Sequence, residues 1–391
     1  MPYRSAVLGL CALAFGLLAH AADKPEYRIG VVTATTGAAS VISAPAVAAV
    51  NLLEEKIAAD KSLPFTVKFI KYDDASDPTK SVNAVRKLIQ DDQAHIVICC
   101  TTTPSSLAIA KTVSEGGITA IAMAASATVT EPQPEKQFMF KTPVTDRLML
   151  NYTLDRMLKK GVKSVAFMGL EDSYGEGAWV EFKALAEKKG MTIAAKESFA
   201  RGDTNFAPQA LRVARAKPDA VYFHAIPPSA ALAHEALKRV GYAGPIYHGA
   251  GAPTPAFITI GKGAVEGAIV GAIPITVYKD LPKTNPIVPV ITQFVSEYDA
   301  KYGAGKAEIF ATQAWDAVNI AMGAISRHHA NGAKDDLAQA RKDIRAQVEN
   351  TKNFVGTHGI FNYSPTDHVG LDTRTTFLVV VKNGNFELLP E

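Results

Sequence analysis

Apolar positions along this chain recur in two alternating rhythms. The runs 27–32, 65–72, 95–100 and 118–123 read as short strands, most of them apolar enough to be buried on both faces. Between them, 44–59, 78–92 and 104–115 have helical spacing. Val82, Val85, Leu88 and Ile89, for example, share one face. A second series begins after residue 146. Helices are expected at 146–160, 175–189, 206–216 and 229–240, and strands at 164–168, 192–199, 220–224 and 245–248. Strand–helix units repeated in this way predict parallel sheets covered by helices on both faces. After Ile269 the pattern changes to three long helical stretches, 286–302, 310–329 and 335–350. The chain then ends in strands at 375–382 and 386–388 around Asn383-Gly384, a hairpin signal. Residues 142–146 lie between the two series and read as a crossing segment. No low-complexity tether separates the halves, so the chain is expected to cross between two lobes more than once.

The N-terminus has a different character. Arg4 precedes an apolar run from Ala6 to Leu18, followed by Ala19-His20-Ala21 and polar Asp23-Lys24. This is the layout of a cleaved secretory signal peptide over 1–21, with Cys11 inside the discarded part. The run is short for a permanent membrane span. Removing Arg4 leaves 40 basic residues against 38 acidic ones. The charges are interspersed, which gives no electrostatic footprint for nucleic acid or an acidic membrane. Cys99 and Cys100 are the cysteines left. Adjacent cysteines are expected not to bridge, so no disulfide framework is expected.

The search for catalytic chemistry yields no complete set. There is no G-x-S-x-G elbow and no P-loop, and Gly249-Ala250-Gly251 does not continue as a dinucleotide fingerprint. His234-Glu235 starts like a zinc-protease helix, but Lys238 stands where the second histidine belongs. His328 and His329 are adjacent on a helix and point apart. Asp73, Asp74 and Asp77 read as strand-end and capping acids. No cofactor, catalytic residue or metal site is therefore expected. What remains are loops at strand ends. Thr101-Thr102-Thr103-Pro104 opens a helix, and Ala124-Ala125-Ser126 follows the next strand. Both leave hydroxyls and small residues at the edge of an α/β sheet where ligands sit, and the helix start favours an anion. Each also fits ordinary capping.

The order and spacing of several short segments complete the picture. These are Ile29-Gly30-Val31 with Thr36-Gly37, 71–78, the Thr101–Ser106 loop, Ala124-Ala125-Ser126, Lys141-Thr142 with Asp146, and Tyr174-Gly175-Glu176-Gly177. Together they resemble the branched-chain amino acid family of periplasmic solute-binding proteins, the extracytoplasmic receptors of ABC importers. The resemblance covers essentially the whole chain after residue 21. It implies an α/β protein of two Rossmann-like, doubly wound lobes joined by three crossovers, with ligand enclosed between them. Lobe one would comprise 22–142 and 273–355, and lobe two 143–272 and 356–391.

The resemblance also implies site residues. Thr102 and Thr103, with Ala124 and Ser126, fall where the family holds a ligand carboxylate. Asp146 and Tyr174 fall at contact positions of the second lobe, and Ile42, in the first loop, at a side-chain pocket. Two positions depart from the amino-acid receptors. The family's ammonium-pairing glutamate falls at Ala250, and a wall tyrosine falls at Ile226. The family's disulfide positions hold Ser76 and Thr102. A buried ammonium without a counter-charge is costly. The expectation therefore leans to a lone carboxylate, and the loops are similar to those of a branch that binds aromatic acids such as hydroxybenzoates. Tyr222, His224 and His248, near strand ends, are candidates to meet a ring hydroxyl.

The expected function is a periplasmic, monomeric binding protein that hands a small-molecule carboxylate to ABC permease subunits. An apolar amino acid is the alternative ligand. A receptor serving a membrane signalling protein is the alternative class, and an enzyme is disfavoured by the missing nucleophile–base pair.

Overall fold

The protein is described by a computed structural model in which residues 24–332 and 336–390 are placed. The signal-peptide reading of 1–21 lies outside the described residues. None of the described helices is long and apolar enough to cross a membrane.

The first sheet is built from β1 (Glu26–Thr33), β2 (Thr66–Asp73), β3 (Ile96–Cys99), β4 (Ala120–Ala122) and β5 (Met139–Lys141). All five are parallel, in the order β2-β1-β3-β4-β5. The helices α1 (Ser40–Ala59), α2 (Pro78–Gln90) and α3 (Thr103–Glu115) connect them. Strand alternation decides which helix each side chain meets. Val97 and Cys99 of β3 join Val85, Leu88, Ile109 and Val113 under α2 and α3. Ile96 and Ile98 face the opposite cluster, which includes α1. Asp77 caps α2 by accepting from the N–H groups of Thr79 (2.7 Å) and Lys80 (3.3 Å), as expected of a capping acid.

The second series begins with α4 (Asp146–Lys159) and continues through β6 (Ser164–Leu170), α5 (Ser173–Lys188), β7 (Thr192–Phe199), α6 (Ala207–Arg215), β8 (Ala220–His224) and α7 (Ser229–Arg239). It closes with β9 (Ile246–His248), α8 (Pro255–Gly261) and β10 (Ile269–Ala272). The chain then returns to the first sheet through α9 (Pro274–Val277), α10 (Ile287–Tyr302), α11 (Ile309–Ala330) and α12 (Leu337–Glu349). Helix α11 lies against α1, β3 and β4. Arg341 of α12 locks onto the same lobe, donating to the carbonyls of Ala94 (2.9 Å), Gly116 (3.2 Å) and Ile89 (3.1 Å). After the small hairpin β11 (Phe354–Val355) and β12 (Ile360–Phe361), β13 (Phe377–Lys382) and β14 (Asn385–Leu388) complete the second sheet. Its order is β14-β13-β10-β9-β8-β6-β7, with β13 and β14 antiparallel. Asn383 and Gly384 turn the last hairpin with φ of 50° and 69°, the left-handed values such a two-residue turn requires.

The chain thus passes between the sheets three times: after β5, after β10 and before β13. Several elements escaped the sequence reading. Strand β5 is only three residues and ends in a lysine. Strand β10 lies where the pattern was read as changing. Helix α1 starts at Ser40, four residues early, and carries Pro45 inside it, so Ile42 sits on its first turn and not in a loop. Cys99 and Cys100 form a disulfide with each other, against the expectation. Both sulfurs are buried in the apolar cluster under α2 and α3, and the third cysteine, Cys11, lies outside the described residues.

At one glycine the close approach of two chain segments positions the site. A Cβ at Gly175, in the first turn of α5, would stand 1.8 Å from the carbonyl oxygen of Leu170 at the end of β6. Neither backbone can give way without moving the other. Gly175→Ala is therefore expected to lower stability by at least about 1–3 kcal/mol, the usual range for overpacking, read as a reduced urea midpoint in equilibrium unfolding.

Candidate functional site

The carboxyl ends of the parallel strands of both sheets meet at a cavity. From the first lobe it is lined by Ile42, Thr101, Thr102, Thr103, Met123, Ala124 and Ala125. The second lobe contributes Asp146, Tyr174, Arg201, Tyr222, His224, Ile226 and Ala250. Phe310, Gln313 and His358 line it from the returning part of the chain.

Ten of the twelve residues singled out from the sequence line this one cavity. One exception is Ser126. Its hydroxyl is bonded to that of Thr128 at 2.9 Å, and its carbonyl accepts from Lys141 Nζ at 3.0 Å. A buried ammonium has claimed the segment. The other, His248, lies behind the wall. Its Nε2 is 2.9 Å from His234 Nδ1, and its ring stacks on Phe223. Sequence reasoning missed Arg201, Phe310, Gln313 and His358. Arg201 lies two residues beyond the end of a strand that was read correctly, so the rule that ligands gather at strand ends applied to it too. Phe310, Gln313 and His358 reach the cavity only through tertiary packing and carry no local signal.

The second lobe's wall is aromatic. The Tyr174 and His224 rings have centroids 4.1 Å apart, and Tyr222 approaches His224 from the other side with its hydroxyl 3.4 Å from Nδ1. Glycines make this density possible. A Cβ at Gly249 would stand 2.9 Å from the Tyr222 hydroxyl, and one at Gly251 would stand 3.1 Å from the Tyr174 hydroxyl. With Tyr222 donating to Nδ1, the His224 proton is assigned to Nε2. Burial holds the ring neutral by lowering its pKa to about 3. The 3.6 Å separation between Nε2 and Asp146 Oδ1 is thus neither an ion pair nor a hydrogen bond.

Asp146 begins α4 and is buried. Desolvation pushes its pKa up to about 7, against the attraction of Lys141, which favours the charged form. Lys141 is itself fully buried. Burial lowers its pKa to about 8, while Asp146 acts to raise it. The ammonium donates to the carbonyls of Ala125 and Ser126.

Four buried polar atoms of cavity-lining residues have no hydrogen-bond partner: Thr103 Oγ1 on the first lobe, and Asp146 Oδ2, His224 Nε2 and Arg201 Nη1 on the second. Buried polar groups in folded proteins are nearly always paired. Four such orphans on residues that line one cavity mark a place where an incoming polar molecule can supply the partners. The described residues hold no cluster of His, Cys, Asp and Glu suited to a metal ion.

Two doubly wound lobes that meet around such a cavity define the type I periplasmic binding protein class. The family model described as "Periplasmic binding protein" matches residues 26–385, and the chain belongs to that family. An extracellular ligand-binding receptor from Rhodopseudomonas palustris HaA2 superposes with a TM-score of 0.87 at 31% identity, covering 93% of this chain and 99% of that one. A leucine-binding protein from Thermotoga maritima superposes with a TM-score of 0.80 at 25% identity, covering 93% and 98%. A leucine-, isoleucine-, valine-, threonine- and alanine-binding protein from Pseudomonas aeruginosa is 24% identical over 313 residues, 78% of this chain and 74% of its own.

The raised pKa of Asp146 has a consequence for stability. The folded carboxyl binds its proton up to about pH 7, whereas in the unfolded chain it releases it near 3.8. Between those values the folded state holds more protons, so this group's contribution to stability falls as pH rises through that window. Asp316 and Glu308 are also pushed up by burial and contribute a common background. Asp146→Asn removes this carboxyl and with it the attraction that holds the Lys141 proton, so Lys141 loses its proton at lower pH in the variant, which acts in the same direction. The ligand-free variant is expected to gain melting temperature relative to the parent between pH 5 and 7.5. A difference that stays flat across the series would show that Asp146 titrates normally.

Proposed function

We propose that this protein is the extracytoplasmic substrate-binding component of an ABC importer. It closes on one small carboxylate-bearing molecule between its lobes and delivers it to the permease. The four unpartnered polar atoms, on residues that both lobes contribute to one cavity, carry this reading. A ligand that completes hydrogen bonds on both sides binds the closed state better than the open one and so shifts the lobes together. The hinge would lie in the three crossings. Lobe one then comprises residues up to 142 together with 273 to about 370, and lobe two the remainder. The last crossing is set later than residue 356 because 357–368 stays bonded to the first lobe. Thr357 and His358 donate their N–H groups to Asp316, the Tyr363 hydroxyl donates to the Lys141 carbonyl at 2.9 Å, and the Lys141 N–H donates to the His368 carbonyl at 3.1 Å.

Two features favour an aromatic acid as cargo. The wall of Tyr174, Tyr222, His224 and Phe310 suits a flat ring. Ala250, on the cavity lining, offers no carboxylate to an ammonium. The second reading, an apolar amino acid, draws on the names of the relatives and on Asp146, whose unpartnered oxygen is a possible ammonium partner.

A thermal-shift series separates the two. The protein is unfolded and refolded to strip ligand, then melted with leucine, isoleucine, valine and phenylalanine, and with benzoate, hydroxybenzoates and hydroxycinnamates. A ligand at a hundred times its Kd adds about 2.7 kcal/mol to the native state. Stabilisation by the aromatic acids without stabilisation by leucine or valine is the expected result. The reverse pattern assigns Asp146 to an ammonium.

A further inference from the structure

Arg201 is the one arginine or lysine among the residues lining the cavity, and its surroundings hold it in place. The turn after β7 is closed twice, by the Asp203 N–H donating to the Ala200 carbonyl (3.2 Å) and the Ala200 N–H donating to the Asp203 carboxylate (2.9 Å). From that turn the side chain reaches back to Asp172, with Nη2 2.5 Å from Oδ2. Asp172 is held in turn, since its other oxygen caps α5 by accepting from the N–H groups of Tyr174 (2.9 Å) and Gly175 (3.3 Å). One arm of the fork is therefore anchored. The other, Nη1, is buried without a partner, on a side chain that is 16% exposed and lines the cavity. A guanidinium stays charged at any physiological pH, and leaving one of its buried donors unmade costs more than leaving a neutral one. Its planar fork matches a carboxylate.

The first lobe offers an anion less than its sequence suggests. In the opening turn of α3, Pro104 has no N–H. The Ser105 N–H goes to the Thr102 hydroxyl (3.4 Å), and the Ser106 N–H goes to the Thr102 carbonyl (3.0 Å). What Thr103 presents is a neutral hydroxyl and its own N–H.

We propose that the ligand's carboxylate pairs with Arg201 on the second lobe, and that Thr103 receives an uncharged polar group at the ligand's other end. This rests on the carboxylate-binding reading above and reverses the orientation implied by the helix start. Arg201 is then the residue that selects acids, and the substrate class is an acid carrying a second polar group remote from its carboxylate.

The test is calorimetric titration of the full mature chain with two matched pairs, 4-hydroxybenzoate against 4-hydroxybenzamide and leucine against leucinamide. The proteins are the parent, Arg201→Gln, Arg201→Lys and Thr103→Val, each first checked for folding by its own melting curve without ligand. Asp172 keeps its cap in the Arg201 variants, so α5 retains its start. The parent is expected to prefer one acid over its amide by about 10–100-fold, the weight of a charged hydrogen bond. Arg201→Gln should abolish that ratio, and Arg201→Lys should restore it in part. Thr103→Val should weaken acid and amide alike and leave the ratio intact. A ratio that survives Arg201→Gln and collapses in Thr103→Val places the carboxylate on the first lobe and overturns the proposal while leaving the binding function standing. Failure of the parent to bind either acid overturns both.

Discussion

A buried ammonium organises the region where the two lobes meet. Lys141 is the last residue of β5, at the point where the chain first leaves the first sheet, and water does not reach it. A charge in that position costs several kcal/mol unless its surroundings compensate. The compensation comes from the carbonyls of Ala125 and Ser126 and, once its carboxyl is ionised, from Asp146. Those demands fix the path of the segment after β4. Ala124 and Ala125 are left facing the cavity while Ser126 is turned away. They also fix the start of α4, where Asp146 stands. The backbone of Lys141 is used as well, bonded to His368 and Tyr363. One side chain and its peptide group thus tie together both ends of the first crossing and the stretch before the last.

The second lobe solves a complementary problem, how to crowd large rings around a small cavity. Tyr174, Tyr222 and His224 approach one another because Gly249 and Gly251 vacate the space that the two tyrosine hydroxyls and the imidazole border, and because Gly175 lets α5 start directly beside the end of β6. The rings are hydrophobic surfaces with polar tips. The result is an apolar wall studded with a few polar atoms, the composition usual for small-molecule sites.

How much of this was legible depended on whether the information was local. β8, buried on both faces, and β7, a half-buried edge strand, were both read from the sequence to the residue. Strand β5 was missed because the residue that matters most in it, Lys141, breaks the apolar pattern by which strands are found. Helix α1 begins before Pro45, and no propensity rule places a helix start upstream of an internal proline. Of the site, the parts on the loops after β3, β4, β6, β8 and β9 could be anticipated from motif order together with the strand-end rule. Phe310, Gln313 and His358 could not. They come from the returning helices and the small hairpin, more than 200 residues away in sequence from Thr103. The pairing of Cys99 with Cys100 was equally out of reach, since the sequence reading took adjacency as an argument against it.

The threefold passage between sheets also fixes the order in which the molecule can be assembled. The five strands of the first sheet are made by residue 141, and α2 and α3 already cover one of its faces. The other face has only α1 until α11, beginning at Ile309, emerges nearly 170 residues later. A growing chain therefore carries a half-covered apolar sheet while all of those residues are made, and neither lobe is a contiguous stretch that could be completed first. Closure of the core waits for the last fifth of the polypeptide. Until then neither lobe can close its core, a constraint on the order of folding that two domains laid end to end along a chain do not carry.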